Sequence, residues 1–236
     1  MRGDALRLPY TKGQEDQWDK LWVGYFRREP QQLALQDEVS RKELPVDRDG
    51  MIDDDALFIS CDPAAIRGMK VLEVGCGAGF LAKLIAKHTK QYVGIDWSGL
   101  ALTVARHTCP TRTTWIHPTD ERALRRMAGE IDSVVARHFM IHQNWERTTR
   151  LLAFERAMLR SGGRIYADLW HDNPAIHDGH GVFEAKTREK TPPNAVYRYT
   201  EHEIETLATE SRLQVADVYE RPDKLRKFVT FEKTGR

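Results

Sequence analysis

The chain has 236 residues, 30% of them charged, and 36 Lys and Arg against 35 Asp and Glu give a formal net charge of +1. This length suits one large α/β domain with a well-filled core. Because basic residues supply much of the affinity for phosphates, the near-neutral charge argues against a nucleic-acid partner and favours a small-molecule substrate.

Cysteine content and hydropathy indicate the compartment. No apolar run reaches the roughly 18 residues that a membrane span needs, and the first residues do not resemble a signal peptide. The cysteines, Cys61, Cys76 and Cys109, are odd in number and lack metal-ligand spacing, so we expect reduced thiols. The sequence predicts a cytoplasmic protein with no membrane partner, as a monomer or a homodimer.

The N-terminal part of the chain differs from the pattern that follows it. Four aromatic residues recur there at helical spacing, Trp18, Trp22, Tyr25 and Phe26. Such spacing predicts a helical extension within residues 1–60. This extension is either a lid over a ligand site or a helix packed on the sheet of the main domain, which we place at residues 61–236.

The main domain alternates short β-branched runs with helical patterns, which indicates βα units and a parallel sheet. Seven strands are predicted, at Lys70–Val74, Gln91–Asp96, Thr113–Ile116, Ser133–Arg137, Arg164–Asp168, Leu213–Tyr219 and Lys227–Glu232. The last two are separated by too few residues for a crossover helix, so they form an antiparallel hairpin. The predicted fold class is α/β, a doubly wound seven-stranded mostly parallel sheet with an antiparallel last strand.

Capping residues and apolar faces predict the helices between these strands. Ser98 is positioned to cap a helix that begins near Gly99, and Thr200 forms a capping box with Glu203. Two further helices are predicted from apolar faces, one with Leu81, Leu84 and Ile85 and one with Leu151, Phe154 and Met158.

A long polar insert, residues 171–198, follows the fifth strand. Loops of this length in compact domains are usually functional or mobile. Its residues His171, His177 and His180 are of a type that binds metals, but their spacing fits no standard ligand pattern. We therefore predict no metal site.

The most informative segment joins the first strand to a helix through Gly75, Gly77 and Gly79. Glycines at such a turn let a ligand touch the backbone, and the free N–H groups of the next helix favour an anionic group. We therefore expect a nucleotide-like cofactor across this bend. Neighbouring protein filling the bend would contradict that expectation.

The spacing of these glycines and the acid before them limit the choice of cofactor. The pattern is G-x-G-x-G, whereas dinucleotide sites carry G-x-G-x-x-G. Glu73, two residues before the first glycine, would repel a pyrophosphate and suits a cofactor with a cationic end. Asp96 ends the second strand, where an acid commonly accepts hydrogen bonds from ribose. Trp97 offers a flat face for adenine, and Asp120 offers an acceptor for its amine.

Four motifs occur in order, E-V-G-C-G-A-G at 73–79, V-G-I-D-W-S at 93–98, D-S-V-V-A-R-H at 132–138 and L-R-S-G-G-R at 159–164. With them the sequence resembles the class I, Rossmann-like S-adenosylmethionine (SAM)-dependent methyltransferases, from about Asp54 to the C-terminus. The resemblance implies a methyltransferase that uses SAM and releases S-adenosylhomocysteine (SAH).

The resemblance also implies roles for individual residues. Glu73 and the backbone of Gly75, Cys76, Gly77 and Gly79 would hold the methionine part of SAM. Ribose would contact Asp96, adenine would contact Trp97 and Asp120, and the methionine amine would meet the backbone near Arg137. The sequence departs from the family pattern after Asp120, where Glu121 and Arg122 replace apolar residues.

Candidate catalytic residues follow the fourth strand, at the edge where such folds bind ligands. His138 is a candidate base and Arg137 a candidate hydrogen-bond donor that binds an anion, while His142 is either a second base or a structural residue. The predicted reaction is methyl transfer to nitrogen or oxygen of a small metabolite. Two alternatives are an aminopropyl transferase that uses a related adenosyl sulfonium and an NAD-dependent oxidoreductase.

Overall fold

The computed structural model describes residues 8, 12–28, 66–109, 112–137, 139–170, 182–191, 195–220 and 226–235. Within these ranges the chain forms two compact units, one in Tyr10–Arg126 and one in Met127–Arg236, to which Leu8 also belongs. The predicted boundary between residues 60 and 61 lies outside the described residues.

Three parallel strands form the sheet of the first unit. They are β1 (Lys70–Val74), β2 (Gln91–Ile95) and β3 (Thr113–Ile116). β2 lies between the other two and pairs in parallel with both. The last four residues of β1 and of β2 are buried. Such continuous burial is typical of strands in a parallel sheet that is covered on both faces.

Four helices accompany this sheet, α1 (Lys12–Arg28), α2 (Phe80–Ile85), α3 (Gly99–Thr108) and α4 (Glu121–Met127). The predicted cap of α3 is confirmed, because Ser98 Oγ accepts a hydrogen bond from the Ala101 amide at 3.0 Å. α4 was not predicted, since its charged sequence carries Leu124 as its one buried residue. The aromatic spacing near the N-terminus does correspond to a helix, α1.

Among the described residues, the second unit contains six strands, two α-helices and a short 3-10 helix (Met140–His142). The strands are β4 (Ile131–Ala136), β5 (Leu159–Trp170), β6 (Val182–Glu184), β7 (Val196–Arg198), β8 (Gln214–Glu220) and β9 (Arg226–Glu232), and the helices are α5 (Trp145–Met158) and α6 (Glu201–Glu210). β4 and β5 are parallel, whereas β9 is antiparallel to both β5 and β8. The predicted antiparallel last strand and its hairpin with the preceding strand are confirmed.

All seven predicted strands are present, and β6 and β7 add to them. These two short parallel strands lie in the segment that was predicted as a polar insert. Each spans three residues and includes a charged one, Glu184 or Arg198, so neither produces a hydrophobic pattern long enough to recognise. The residues His171, His177 and His180 lie outside the described ranges.

The capping box predicted at the start of α6 is also confirmed. Thr200 Oγ1 accepts from the Glu203 amide at 3.2 Å, and Glu203 Oε2 accepts from the Thr200 amide at 3.0 Å. This reciprocal pair satisfies amides that the first helical turn leaves without partners. None of the helices in the described ranges combines the length and apolar character that a membrane span requires.

Candidate cofactor site

The turn after β1 has the backbone that its glycines predict. The φ angles of Gly75, Gly77 and Gly79 are 76°, 52° and 76°. They lie in the left-handed region, which residues other than glycine rarely adopt. The amides of Gly75 and Cys76 both donate to the Ile95 carbonyl, at 2.8 and 3.0 Å. The turn is thereby fixed to the end of β2.

Asp96 lies directly after β2 and joins the glycine turn to α3. Its Oδ2 accepts from the Gly77 amide and its Oδ1 from the Ser98 amide, both at 2.8 Å. The side chain is buried, and burial raises the pKa of Asp96 to about 6, although these amide hydrogen bonds act in the opposite direction. The acid expected to meet the ribose is therefore fixed in place at the bend.

Glu73, the acid before the turn, is buried at 3% exposure. The Tyr92 hydroxyl of β2 donates a short hydrogen bond to Glu73 Oε2. Burial, followed by the charge of Glu73, raises the pKa of Tyr92 well above its usual value, so this hydroxyl stays protonated and remains a donor. Tyr92 thus holds the buried carboxyl group of Glu73 in place at the end of β1.

Gly79 serves the packing of the first unit. A Cβ at this position would lie 2.5 Å from Cys109 Sγ and 2.7 Å from the Trp115 ring. Trp115 also covers Gly94 of β2, where a Cβ would lie closer than 3.0 Å to its ring. Cys76 is buried, and both Cys76 and Cys109 are free thiols, as predicted.

Gly77 contacts the N-terminal helix. A Cβ on Gly77 would lie closer than 3.0 Å to two ring carbons of Trp22, which projects from α1. The bend is therefore partly covered at Gly77 by a half-buried side chain. The expectation was that no neighbouring protein fills the bend, and at Gly77 a side chain covers it in part. The covering group belongs to a separate helix, α1, and not to the core of the sheet.

The two residues predicted to contact adenine have different environments. Trp97 is buried, at 3% exposure. Asp120 is exposed, and its Oδ1 accepts from the Ala123 amide at 3.0 Å, at the start of α4. The structure thus gives Asp120 a helix-capping contact, and a role toward adenine stays a prediction for both residues.

The second unit carries the predicted catalytic residues. Arg137 follows β4 directly and is half-buried, whereas His138 lies outside the described residues. His142 Nδ1 lies 3.2 Å from the Ala195 carbonyl. Since a carbonyl only accepts hydrogen bonds, this contact assigns a proton to Nδ1.

Sequence reasoning did not single out Asp19, Tyr92 or Trp115. Tyr92 carried a usable signal, because the fixed parallel register of β1 and β2 puts it on the same face as Glu73. Asp19 precedes Trp22 by three residues, which places both on one side of a helix. Asp19 contacts Ser98 and Leu100 at the start of α3, and the sequence of α1 alone did not predict this contact.

The acid-flanked glycine turn, fixed to neighbouring parallel strands, defines an α/β protein of the nucleotide-cofactor-binding kind. Residues 71–163 match the family described as a methyltransferase domain. A ubiquinone biosynthesis O-methyltransferase from Vibrio parahaemolyticus is 40% identical over 102 residues, which are 42% of this chain and 43% of that protein. The chain thus matches half or less of the length of these curated relatives.

Solved structures show the same fold over more of the chain. A magnesium protoporphyrin IX methyltransferase from Synechocystis with bound SAM covers 96% of this chain and 99% of its own, at a TM-score of 0.57 and 13% identity. A Burkholderia thailandensis 1,6-didemethyltoxoflavin-N1-methyltransferase with bound SAH covers 77% of this chain and 80% of its own, at a TM-score of 0.52 and 19% identity. The fold is that of the class I, Rossmann-like methyltransferases, and residues 71–163 are similar to the methyltransferase domain family.

Proposed function

We propose that this chain is a SAM-dependent methyltransferase that methylates nitrogen or oxygen of a small metabolite and releases SAH. The observation that carries the proposal is the bond between Gly77 and Asp96 beside the buried Glu73. Two acids flank a turn whose central position excludes a side chain. This arrangement fits an adenosyl group with a cationic end and is unfavourable for a pyrophosphate.

The residues of the first unit fit such a cofactor by their chemistry. Asp96 would accept hydrogen bonds from the ribose hydroxyls, and Glu73, held by Tyr92, would offset the positive charge of the sulfonium and the amine. The backbone of Gly75, Cys76 and Gly77 would line the methionine part. When bound, SAM supplies an electrophilic methyl group; the chain must orient an acceptor lone pair and exclude water.

From the second unit we propose His142 as the base that accepts a proton from the acceptor. Its contact with Ala195 orients the ring. Arg137, half-buried after β4, would bind an anionic group of the acceptor. His138 remains a predicted candidate base.

The relatives support a small-molecule substrate and do not decide whether nitrogen or oxygen is methylated. The curated relatives are named O-methyltransferases, and one solved neighbour is named an N1-methyltransferase. Neither alternative reaction, aminopropyl transfer or NAD-dependent oxidation, gains support from these matches. A cytoplasmic location, a monomer or homodimer state, and a lid function for residues 1–60 remain predictions.

The test is methyl transfer from SAM that carries a labelled methyl group, with a panel of small phenols and amines as acceptors. SAH release that depends on an acceptor supports the proposal. Asp96→Ala should abolish release, while Asp217→Ala, which removes an exposed acid of β8, should leave it unchanged. Failure of the protein to bind SAM or SAH, or nicotinamide reduction in its place, would overturn the proposal.

A further inference from the structure

α1 is attached to the cofactor site through the carboxylate of Asp19. Asp19 Oδ1 accepts a hydrogen bond from Ser98 Oγ and another from the Leu100 amide at 3.2 Å. The contact therefore lies at the start of α3, where the helix dipole favours a negative charge. Ser98 also donates its amide to Asp96, so one residue connects α1 to the acid of the bend.

Trp22 lies on the same side of α1, one turn after Asp19. Its ring centroid is 5.9 Å from that of Phe80, the first residue of α2, and 5.5 Å from that of Tyr25. The indole extends from this cluster over Gly77, at the position that a Cβ of Gly77 would occupy. Its ring is only half-buried, so it leaves the surface of Gly77 more readily than a core side chain would.

We infer that the Trp22 indole and the cofactor compete for the same surface of Gly77, so that α1 closes the site until Trp22 moves. This inference rests on the proposed function, which assigns the backbone of Gly77 to the cofactor. A glycine surface that excludes even a methyl group does not admit two ligands together. Trp22 is thus a gate, and the Asp19 contacts with Ser98 and Leu100 are its latch.

The gate lowers the apparent affinity for the cofactor. If the site binds only while Trp22 is displaced, the observed dissociation constant equals the intrinsic one divided by the open fraction. Removing the indole increases that fraction, so binding becomes faster and tighter. Removing the latch acts in the same direction, but less strongly, because the aromatic cluster with Phe80 remains.

The experiment measures SAH binding by stopped-flow and calorimetry in the full chain. Trp22→Ala should bind SAH with a higher association rate and a lower dissociation constant, each by about threefold or more. Asp19→Ala, which leaves the aromatic cluster intact, should shift both in the same direction. Leu21→Ala is the matched control, since Leu21 is the neighbouring apolar residue of α1 and is 38% exposed; it should change neither value.

The opposite sign would overturn the gate. If Trp22→Ala and Asp19→Ala both weaken SAH binding, α1 is a wall that contacts the bound cofactor. If SAH binds and neither variant differs from the wild type, Trp22 and SAH do not share the surface of Gly77. If the wild type and all variants fail to bind SAH and SAM, the proposed function fails together with the gate. Circular dichroism and thermal melts establish that the variants are folded.

Discussion

The amide of Gly77 donates a 2.8 Å hydrogen bond to Oδ2 of Asp96. The bond joins the turn after β1 to the residue after β2. Because the same carboxylate also accepts from the Ser98 amide, it holds the glycine turn and the start of α3 together. Asp96 therefore has a structural role in the bend as well as the proposed role toward ribose.

Binding of SAH should depend on pH through Asp96. Burial raises the pKa of this acid to about 6, so it is ionised above that pH and protonated below it. The ionised carboxylate is the better acceptor for ribose hydroxyls, so affinity should be highest above pH 6 and weaken on acidification, by at most about tenfold per pH unit. Calorimetric titration from pH 5 to 8 measures this.

Asp96→Asn keeps an oxygen acceptor and removes the titration. Its affinity for SAH should be lower than that of the wild type at pH 8 and constant over the range. A wild-type affinity that also stays constant through pH 6 would argue against contact between this carboxylate and the ligand.

Substitution of Gly77 should affect ligand binding beyond its effect on stability. Gly77→Ala forces a left-handed alanine and places a methyl group on the proposed cofactor surface. Gly68→Ala is the matched control, because Gly68 has a φ of 76° and a Cβ there would meet no atom within 4 Å. Both variants should lose roughly 1–2 kcal/mol of unfolding free energy from backbone strain, and Gly77→Ala should lose more because its methyl group would overlap the Trp22 ring. SAH affinity should fall only in Gly77→Ala, by about tenfold or more; equal affinities would place the ligand elsewhere.

His142 should affect catalysis without affecting cofactor binding. If its Nε2 accepts the proton of the acceptor, His142→Gln should lower kcat by roughly 100-fold or more and remove a limb of the pH–rate profile, with the SAH dissociation constant unchanged. His107→Gln is the control, because His107 Nδ1 also lies against a backbone carbonyl, 2.7 Å from that of Thr103, but on the exposed surface of α3. If His142 has only a structural role, His142→Gln should lower thermal stability and leave the pH–rate profile unchanged.

Glu155 should make the second unit less stable as the pH rises. Its side chain is fully buried in α5, and neither carboxylate oxygen has a hydrogen-bond partner among the described residues. Burial raises the pKa of Glu155 from 4.5 to about 8. The folded state therefore holds a proton that the unfolded state releases above pH 4.5. The free energy of unfolding should fall between about pH 4.5 and 8, by at most about 1.4 kcal/mol per pH unit.

Urea unfolding at pH 5, 6.5 and 8 measures this slope. Glu155→Gln removes the ionisable group and should remove the slope that Glu155 contributes. Glu146→Gln, at an exposed position of the same helix, should keep the wild-type slope. If Glu155→Gln retains it, Glu155 is not the group that titrates.

The sequence was most informative where local pattern and packing agree. The bounds of β1 and β3 were predicted to the residue, because each is a short apolar or β-branched run that ends at a turn. Asp96 and Gly77 were identified by type and position. Their mutual hydrogen bond was not, because it depends on the left-handed backbone of the turn.

Other features depend on contacts that no local pattern records. Trp22 and Gly77 are far apart in sequence, and the residues between α1 and β1 gave no indication of where α1 packs. Glu155 follows Leu151 by four residues and so shares its buried face, where a charged residue is unfavourable. The apolar pattern of α5 predicted the helix correctly and gave no sign that this acid is buried.

The most direct test of the central claim, that the bend at Gly77 and Asp96 binds a cationic adenosyl donor, is a calorimetric titration of the wild-type chain with SAM, SAH, decarboxylated SAM and NAD. We predict that SAM and SAH bind at one site per chain, that Asp96→Ala abolishes this binding, and that NAD gives no heat. Saturable binding of NAD together with no binding of SAM or SAH would contradict the account.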